Sequence, residues 1–160
     1  MEKNSSKSYY DRMVEVEKYV DSEQVYKTLT PKRKVSNLIR QLKLYCEKRD
    51  SASRYYSLHK KNPIYATRIE NAEFDEMLSR ARFVKLISVM NDYEFDLLFI
   101  HLRMMIQEAS IEKDLNKKLK LYDYVSCASA LIKVDNERVM SQMAHFKNEA
   151  LQLIKDVPTM

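Results

Sequence analysis

The chain has 160 residues, 45% of them hydrophobic, which is enough for one domain with its own core. It contains no glycine, whereas phosphate-binding loops, dinucleotide fingerprints, nucleophile elbows and EF-hand loops all need one at a sharp turn or a close approach. The composition therefore excludes these sites, and a net charge of +5 points to anionic partners.

The N-terminal residues are predicted to form an amphipathic helix followed by a short second one. Apolar side chains recur at helical spacing over residues 6–20, and Asp21-Ser22 predicts a break. A short turn or helix is expected at residues 25–29. The predicted inner face of the first helix consists of Tyr9, Met13, Val16 and Val20.

A long helix is predicted to begin at Thr30-Pro31, because a capping hydroxyl there precedes a proline at the first helical position. We expect it to loosen at the polar residues 50–53 and to end before Asn62-Pro63, since the residue before proline avoids helical dihedrals. Its predicted inner stripe consists of Val35, Leu38, Ile39, Leu42, Tyr45 and Cys46.

The next two predicted helices follow a connector at residues 64–70. Asn71 is expected to cap the first of them. The second, over residues 93–109, is the most apolar helix of the chain and is expected to be the central element. The predicted inner face of the helix capped by Asn71 consists of Phe74, Met77, Leu78, Ala81, Val84 and Ile87.

Two more helices complete the predicted fold, one from Leu115 to about Ile132 and one after Asn136. Apolar residues of the last helix form a seam at intervals of four and three. We predict an all-α protein, a single compact bundle of about six helices with no sheet. One domain is expected over residues 1–160, in which residues 1–5 are frayed and residues 158–160 form a tail. The seam residues are Val139, Met143, Phe146, Ala150, Leu153 and Val157.

Charge is concentrated in one part of the chain. Between Lys27 and Lys61 there are eleven Lys and Arg against two acids, so this basic segment carries +9 and the rest of the chain −4. Within its helix, cations follow one outer face, where they match the spacing of phosphates along a strand. The candidate nucleic-acid-binding residues are Lys32, Arg33, Arg40, Lys43, Lys48, Arg54, Tyr55, His59, Lys60 and Lys61.

Aromatic side chains beside these cations favour unpaired bases as the ligand. Tyr55, Tyr56 and His59 could stack on bases, so we predict a non-enzymatic binding or assembly subunit whose partner is RNA or single-stranded DNA. The alternative is an adaptor or regulator whose basic face meets an acidic protein surface. A third reading is a charged face that is merely solvated.

Two arginine–histidine spacings bear on catalysis. Four residues separate Arg54 from His59, and six separate Arg138 from His145. This resembles the Arg-x4–6-His signature of the HEPN ribonucleases, which implies a small helical domain that cuts RNA at a dimer groove without a metal. The family usually has a small polar residue after the arginine, where this chain has Tyr55 or Val139. We therefore predict no catalytic residues and keep a metal-independent ribonuclease as a further alternative function.

The remaining candidates predict no cofactor and no metal site. The surroundings of His59 and His145 predict no metal site, although Glu149 lies four residues after His145, and His101 is expected in the core or at its boundary. Cys46 and Cys127 are expected to act as small hydrophobes in a reducing, cytoplasmic protein without a membrane span. The seam of the last helix allows a homo-oligomer or a place in a larger complex.

Overall fold

A computed structural model describes residues 8–155, which form seven α-helices and one 3₁₀ turn and no strand. The prediction of an all-α bundle is confirmed. The predicted frayed end, the tail and Val157 lie outside the described residues. The elements are α1 (Tyr9–Glu17), α2 (Glu23–Lys27), α3 (Pro31–His59), the 3₁₀ turn (Pro63–Tyr65), α4 (Ala66–Ser88), α5 (Asp92–Ile111), α6 (Leu115–Leu131) and α7 (Glu137–Lys155).

Capping side chains determine where α3 and α5 begin. The Thr30 hydroxyl accepts a hydrogen bond from the Arg33 N–H at 3.2 Å, and Pro31 occupies the first turn, as the sequence predicts. At the start of α5, Asn91 and Glu94 form a capping box, in which each side chain accepts the other's backbone N–H at 2.9 Å. Local sequence therefore fixes the start of both helices.

Helices α3 and α4 form a helical hairpin, against which α5 and α6 pack, and α7 packs against α5 and α6. Helix α1 covers part of α4. Helix α5 contacts α3, α6 and α7, and its inner side, which includes Leu98 and Leu102, is buried. The expectation that this apolar helix is the central element is confirmed only in part, because its outer side is exposed at Ile100 and Met104 and α6 contacts α4 as well.

The predicted loosening of the long helix is wrong. Residues 50–53 are helical, and α3 continues without a break for 29 residues. Ala52 is buried, and Asp50 pairs with Arg49 at 3.2 Å. Packing along α4 therefore outweighs the weak helix propensity of Asp and Ser.

The predicted connector at residues 64–70 is also wrong. Helix α4 begins at Ala66, so Asn71 lies inside it and does not cap it. Ile69 and Ala72 are buried, and this tertiary packing extends the helix toward the 3₁₀ turn.

The inner face of α4 differs from the predicted one because α4 packs against α3 and also against α1. Ile87 is buried as predicted, whereas Val84 is exposed. The other four predicted positions are half-buried. The positions with the deepest burial on this helix are Ile69, Ala72, Ser79, Phe83, Leu86 and Ile87.

The seam predicted on the last helix faces the bundle. Its first four members are buried in α7, and Leu153 is half-buried against the core. These residues are therefore used within the chain and offer no free seam to a second copy.

Candidate nucleic-acid interface

The outer face of α3 carries a row of cations. Arg33, Arg40 and Lys43 are exposed, and at 100° per residue they lie within about 80° of one another around the helix. They span about 15 Å along its axis at 1.5 Å per residue. The helix presents them to solvent because its opposite side is buried, through Val35, Leu38, Leu42 and Cys46.

A shallow groove of about 310 Å³ lies between Arg33 and Arg40, lined also by Leu29, Ser36 and Asn37. The Arg40 guanidinium donates a hydrogen bond to the Asn37 amide oxygen at 3.3 Å, which holds it beside the groove. The first turn of α3 has no acidic residue, although acids there would complement the helix dipole. The groove therefore combines two guanidinium groups with the positive end of a helix.

Three cations of the basic segment have acidic partners. Lys48, a predicted binding residue, lies beside a carboxylate at 3.7 Å. The pairs are Lys34 with Glu94, Lys48 with Asp75, and Arg49 with Asp50 and Asp123. Within residues 8–155, no ion pair involves Lys27, Lys32, Arg33, Arg40, Lys43, Arg54, Lys60 or Lys61. With Glu47 as the remaining acid, the segment keeps +7.

The far end of α3 forms a second cationic group with an aromatic centre. Tyr55 stacks on Tyr65 at 6.0 Å between ring centroids and 19° between planes. Arg54 lies 5.5 Å from the Tyr55 ring, and Arg68 lies 5.4 Å from the Tyr65 ring. Tyr55 is therefore half-buried in a stack and is not a free platform.

The other candidate residues at this end of α3 follow Tyr55 closely in the chain. His59 is half-buried, while Lys60 and Lys61 are exposed. Tyr56 is exposed, and its hydroxyl donates to Glu73 at 3.2 Å. Along α3, the 14 residues from Arg40 to Arg54 correspond to about 21 Å, so the two cationic groups lie at separate positions on the helix.

A second groove, of about 390 Å³, adjoins the start of α3 where it meets α5. Lys32 lines it together with Tyr93 and His101. His101 is exposed, which corrects the expectation of a core or boundary position. It lies on the outer side of α5, whereas the neighbouring Leu102 is buried.

The two arginine–histidine pairs do not form a converging site. Five residues on one helix place Arg54 and His59 about 140° apart, on different sides of α3. Arg138 Nη1 donates to Asp96 at 2.8 Å, and His145 Nε2 lies 2.6 Å from Glu149. Each member of the second pair is therefore engaged with a carboxylate.

One group of potential metal ligands lies on the α3–α6 contact, where the sequence predicted none. Cys46, Asp123 and Cys127 each offer a ligand atom within 4.8 Å of the others. The sequence places Cys46 on an apolar stripe and Cys127 among small residues, and no local signal joins residues 81 positions apart.

Within residues 8–155, no helix has both the length and the apolar character required to cross a membrane.

The candidate interface therefore consists of cations on α3, an aromatic stack at its end and two grooves at its start. Comparisons with protein-family models, with curated proteins and with solved structures found no match to this chain.

Proposed function

We propose that this protein is a non-enzymatic binding or assembly subunit that holds RNA or single-stranded DNA along the exposed face of α3. The observation that carries the proposal is the groove between Arg33 and Arg40, at the start of a helix whose first turn has no acid. Guanidinium groups bind phosphate oxygens in pairs, and a helix N-terminus favours anions.

The second cationic group, around Tyr55, would bind the same nucleic-acid strand further along. Arg54 and Arg68 lie against the Tyr55–Tyr65 stack, so a base can stack on a guanidinium plane there while phosphates contact Lys60 or its neighbours. A flexible single strand can bend to contact both cationic groups. The two free cysteines fit the reducing cytoplasm that we propose as the compartment.

The test is the affinity for a fluorescent single-stranded RNA, measured by anisotropy at low salt. We expect Arg33→Gln with Arg40→Gln to weaken binding about tenfold or more, because two phosphate contacts are lost. The matched control is Lys113→Gln with Lys117→Gln, which removes two exposed cations outside the basic segment. An equal loss in both variants would contradict a site on α3.

A second candidate function, docking of a partner protein, is favoured by an exposed apolar stripe on α5. Tyr93, Ile100, Met104 and Ile111 are exposed at intervals of seven, four and seven residues, which places them on one helix face. A partner with an acidic rim would cover this stripe and meet Lys32 beside it. Met104→Gln with Ile111→Gln should then abolish association with a second copy or another subunit and leave the RNA affinity unchanged.

A further inference from the structure

The α3–α6 contact buries two thiols beside an arginine. Cys46 and Cys127 are 2% and 6% exposed, and their sulfur atoms lie within 4.8 Å of each other and of an Asp123 oxygen. Arg49, one turn after Cys46, reaches across to α6. Its Nη1 donates to Cys127 Sγ at 3.0 Å, and its Nη2 donates to Asp123 Oδ2 at 2.5 Å.

These contacts make the two thiols unequal. Arg49 donates to the Cys127 sulfur, and no hydrogen bond from a cation to Cys46 is found within residues 8–155. The Cys127 Sγ in turn donates to Asp123 Oδ1 at 3.7 Å, so its proton faces a carboxylate that can accept it. Cys127 is therefore the thiol that the guanidinium activates, and Cys46 is the second thiol within its reach.

The Arg49 guanidinium also favours a pair of thiols over a metal site at this position. Arg49 already supplies the positive charge next to the Cys127 sulfur and the Asp123 carboxylate. A metal cation bound to the same atoms would lie against this fixed charge and would have three protein ligands, whereas structural zinc sites have four.

We propose that Cys127 and Cys46 are a hydroperoxide-reactive pair that closes reversibly to a disulfide joining α3 to α6. The Cys127 thiolate attacks a peroxide oxygen, the O–O bond breaks, and the alkoxide or hydroxide leaves and takes up a proton. Cys127 is then a sulfenic acid. The Cys46 sulfur attacks it, the S–O bond breaks, and the hydroxyl leaves as water with the Cys46 proton. The pair loses two electrons, which reduce the peroxide.

The geometry allows both steps. A disulfide needs its sulfurs about 2.05 Å apart, so the two sulfur atoms must approach by less than about 3 Å. The Arg49 and Asp123 side chains above the pair are 36% and 27% exposed. Cys127 itself is 6% exposed, so a small peroxide reaches its sulfur when these two exposed side chains move aside, and a bulky thiol reagent needs a wider opening.

The test treats the reduced full-length chain with a few equivalents of hydrogen peroxide, blocks free thiols after denaturation and maps the peptides by mass spectrometry. We expect a linked Cys46–Cys127 peptide that dithiothreitol releases. In Cys46→Ser, a sulfenic acid should accumulate on Cys127 and be trapped by dimedone. In Cys127→Ser, Cys46 should stay unmodified.

Arg49→Gln should slow the reaction about tenfold, because the thiolate loses its charged donor, while Lys117→Gln, which removes an exposed cation of α6, should leave the rate unchanged. Circular dichroism of each reduced variant verifies that it is folded. Absence of the linked peptide in the folded wild-type chain would overturn the proposal. So would equal oxidation of Cys46 and Cys127 in the single variants, or protection of both thiols by bound Zn²⁺ at micromolar concentration.

Discussion

Lys34→Met tests the buried ion pair that joins α3 to α5. Lys34 Nζ lies 2.8 Å and 3.0 Å from the two carboxylate oxygens of Glu94, and these side chains are 7% and 2% exposed. The ammonium also donates to the Val89 carbonyl at 3.5 Å. Because Met keeps an unbranched apolar stem, the substitution removes the charge and its hydrogen bonds and preserves most of the packing.

The expected cost follows from what remains at Glu94. In Lys34→Met this carboxylate is buried with the Asn91 N–H as its remaining donor, at 2.9 Å. Removing one partner of a buried ion pair costs about 3–5 kcal/mol, a large part of the 5–15 kcal/mol by which a domain is stable. Adding Glu94→Gln removes the unpaired charge and keeps an acceptor for Asn91. We expect this double variant to regain about 2 kcal/mol or more.

The assay is urea denaturation followed by far-UV circular dichroism, with Lys32→Met as the control. Lys32 precedes the buried lysine by two positions but is exposed, so its substitution should change stability by no more than about 0.5 kcal/mol. A Lys34→Met cost as small as that of the control would refute the reasoning. Additive losses in the double variant would refute it as well.

Three further substitutions test the core. Leu98→Ala should cost about 2–5 kcal/mol in the same titration, and a neutral result would mean that α5 is not central. Gln41→Met should stabilise the protein by about 1 kcal/mol, because the buried Gln41 Oε1 has no hydrogen-bond partner within residues 8–155; a loss of stability would contradict this. Burial, and then the Asp21 charge, raise the pKa of Tyr26, so the folded state retains a proton that the unfolded chain releases above about pH 10. Stability should therefore fall as the pH rises through this range, and less in Tyr26→Phe; an equal fall in both proteins would exclude Tyr26 as a cause.

The parts of the fold that local patterns specify could be predicted from the sequence. Thr30 and Pro31 start α3 as expected, because capping depends on neighbours in the chain. The apolar residues around Leu98 predict a helix that contributes to the core, and its inner side is buried. By contrast, a single inward stripe could not describe α4, since this helix packs against α1 as well as α3.

The parts that depend on distant residues could not be predicted. Lys34 contributes one of the charges counted in the basic segment, but its partner lies 60 positions away on α5, where no local pattern indicates the pair. Tyr65 lies in the predicted connector, so the sequence does not indicate its stacking on Tyr55. Cys46 lies on a predicted inner stripe, yet this stripe contains no signal for the thiol that it meets on α6.

The salt dependence of RNA binding is the measurement that tests the central claim most directly. For single strands, each phosphate contact contributes about 0.7 to the slope of log K against log salt. Replacing Arg33, Arg40 and Lys43 together with glutamine should therefore lower the magnitude of the slope by about 2 and leave stability almost unchanged, since all three are exposed. Wild-type protein that binds no single strand at low salt, or a triple variant that keeps the wild-type slope, would contradict a nucleic-acid interface on α3.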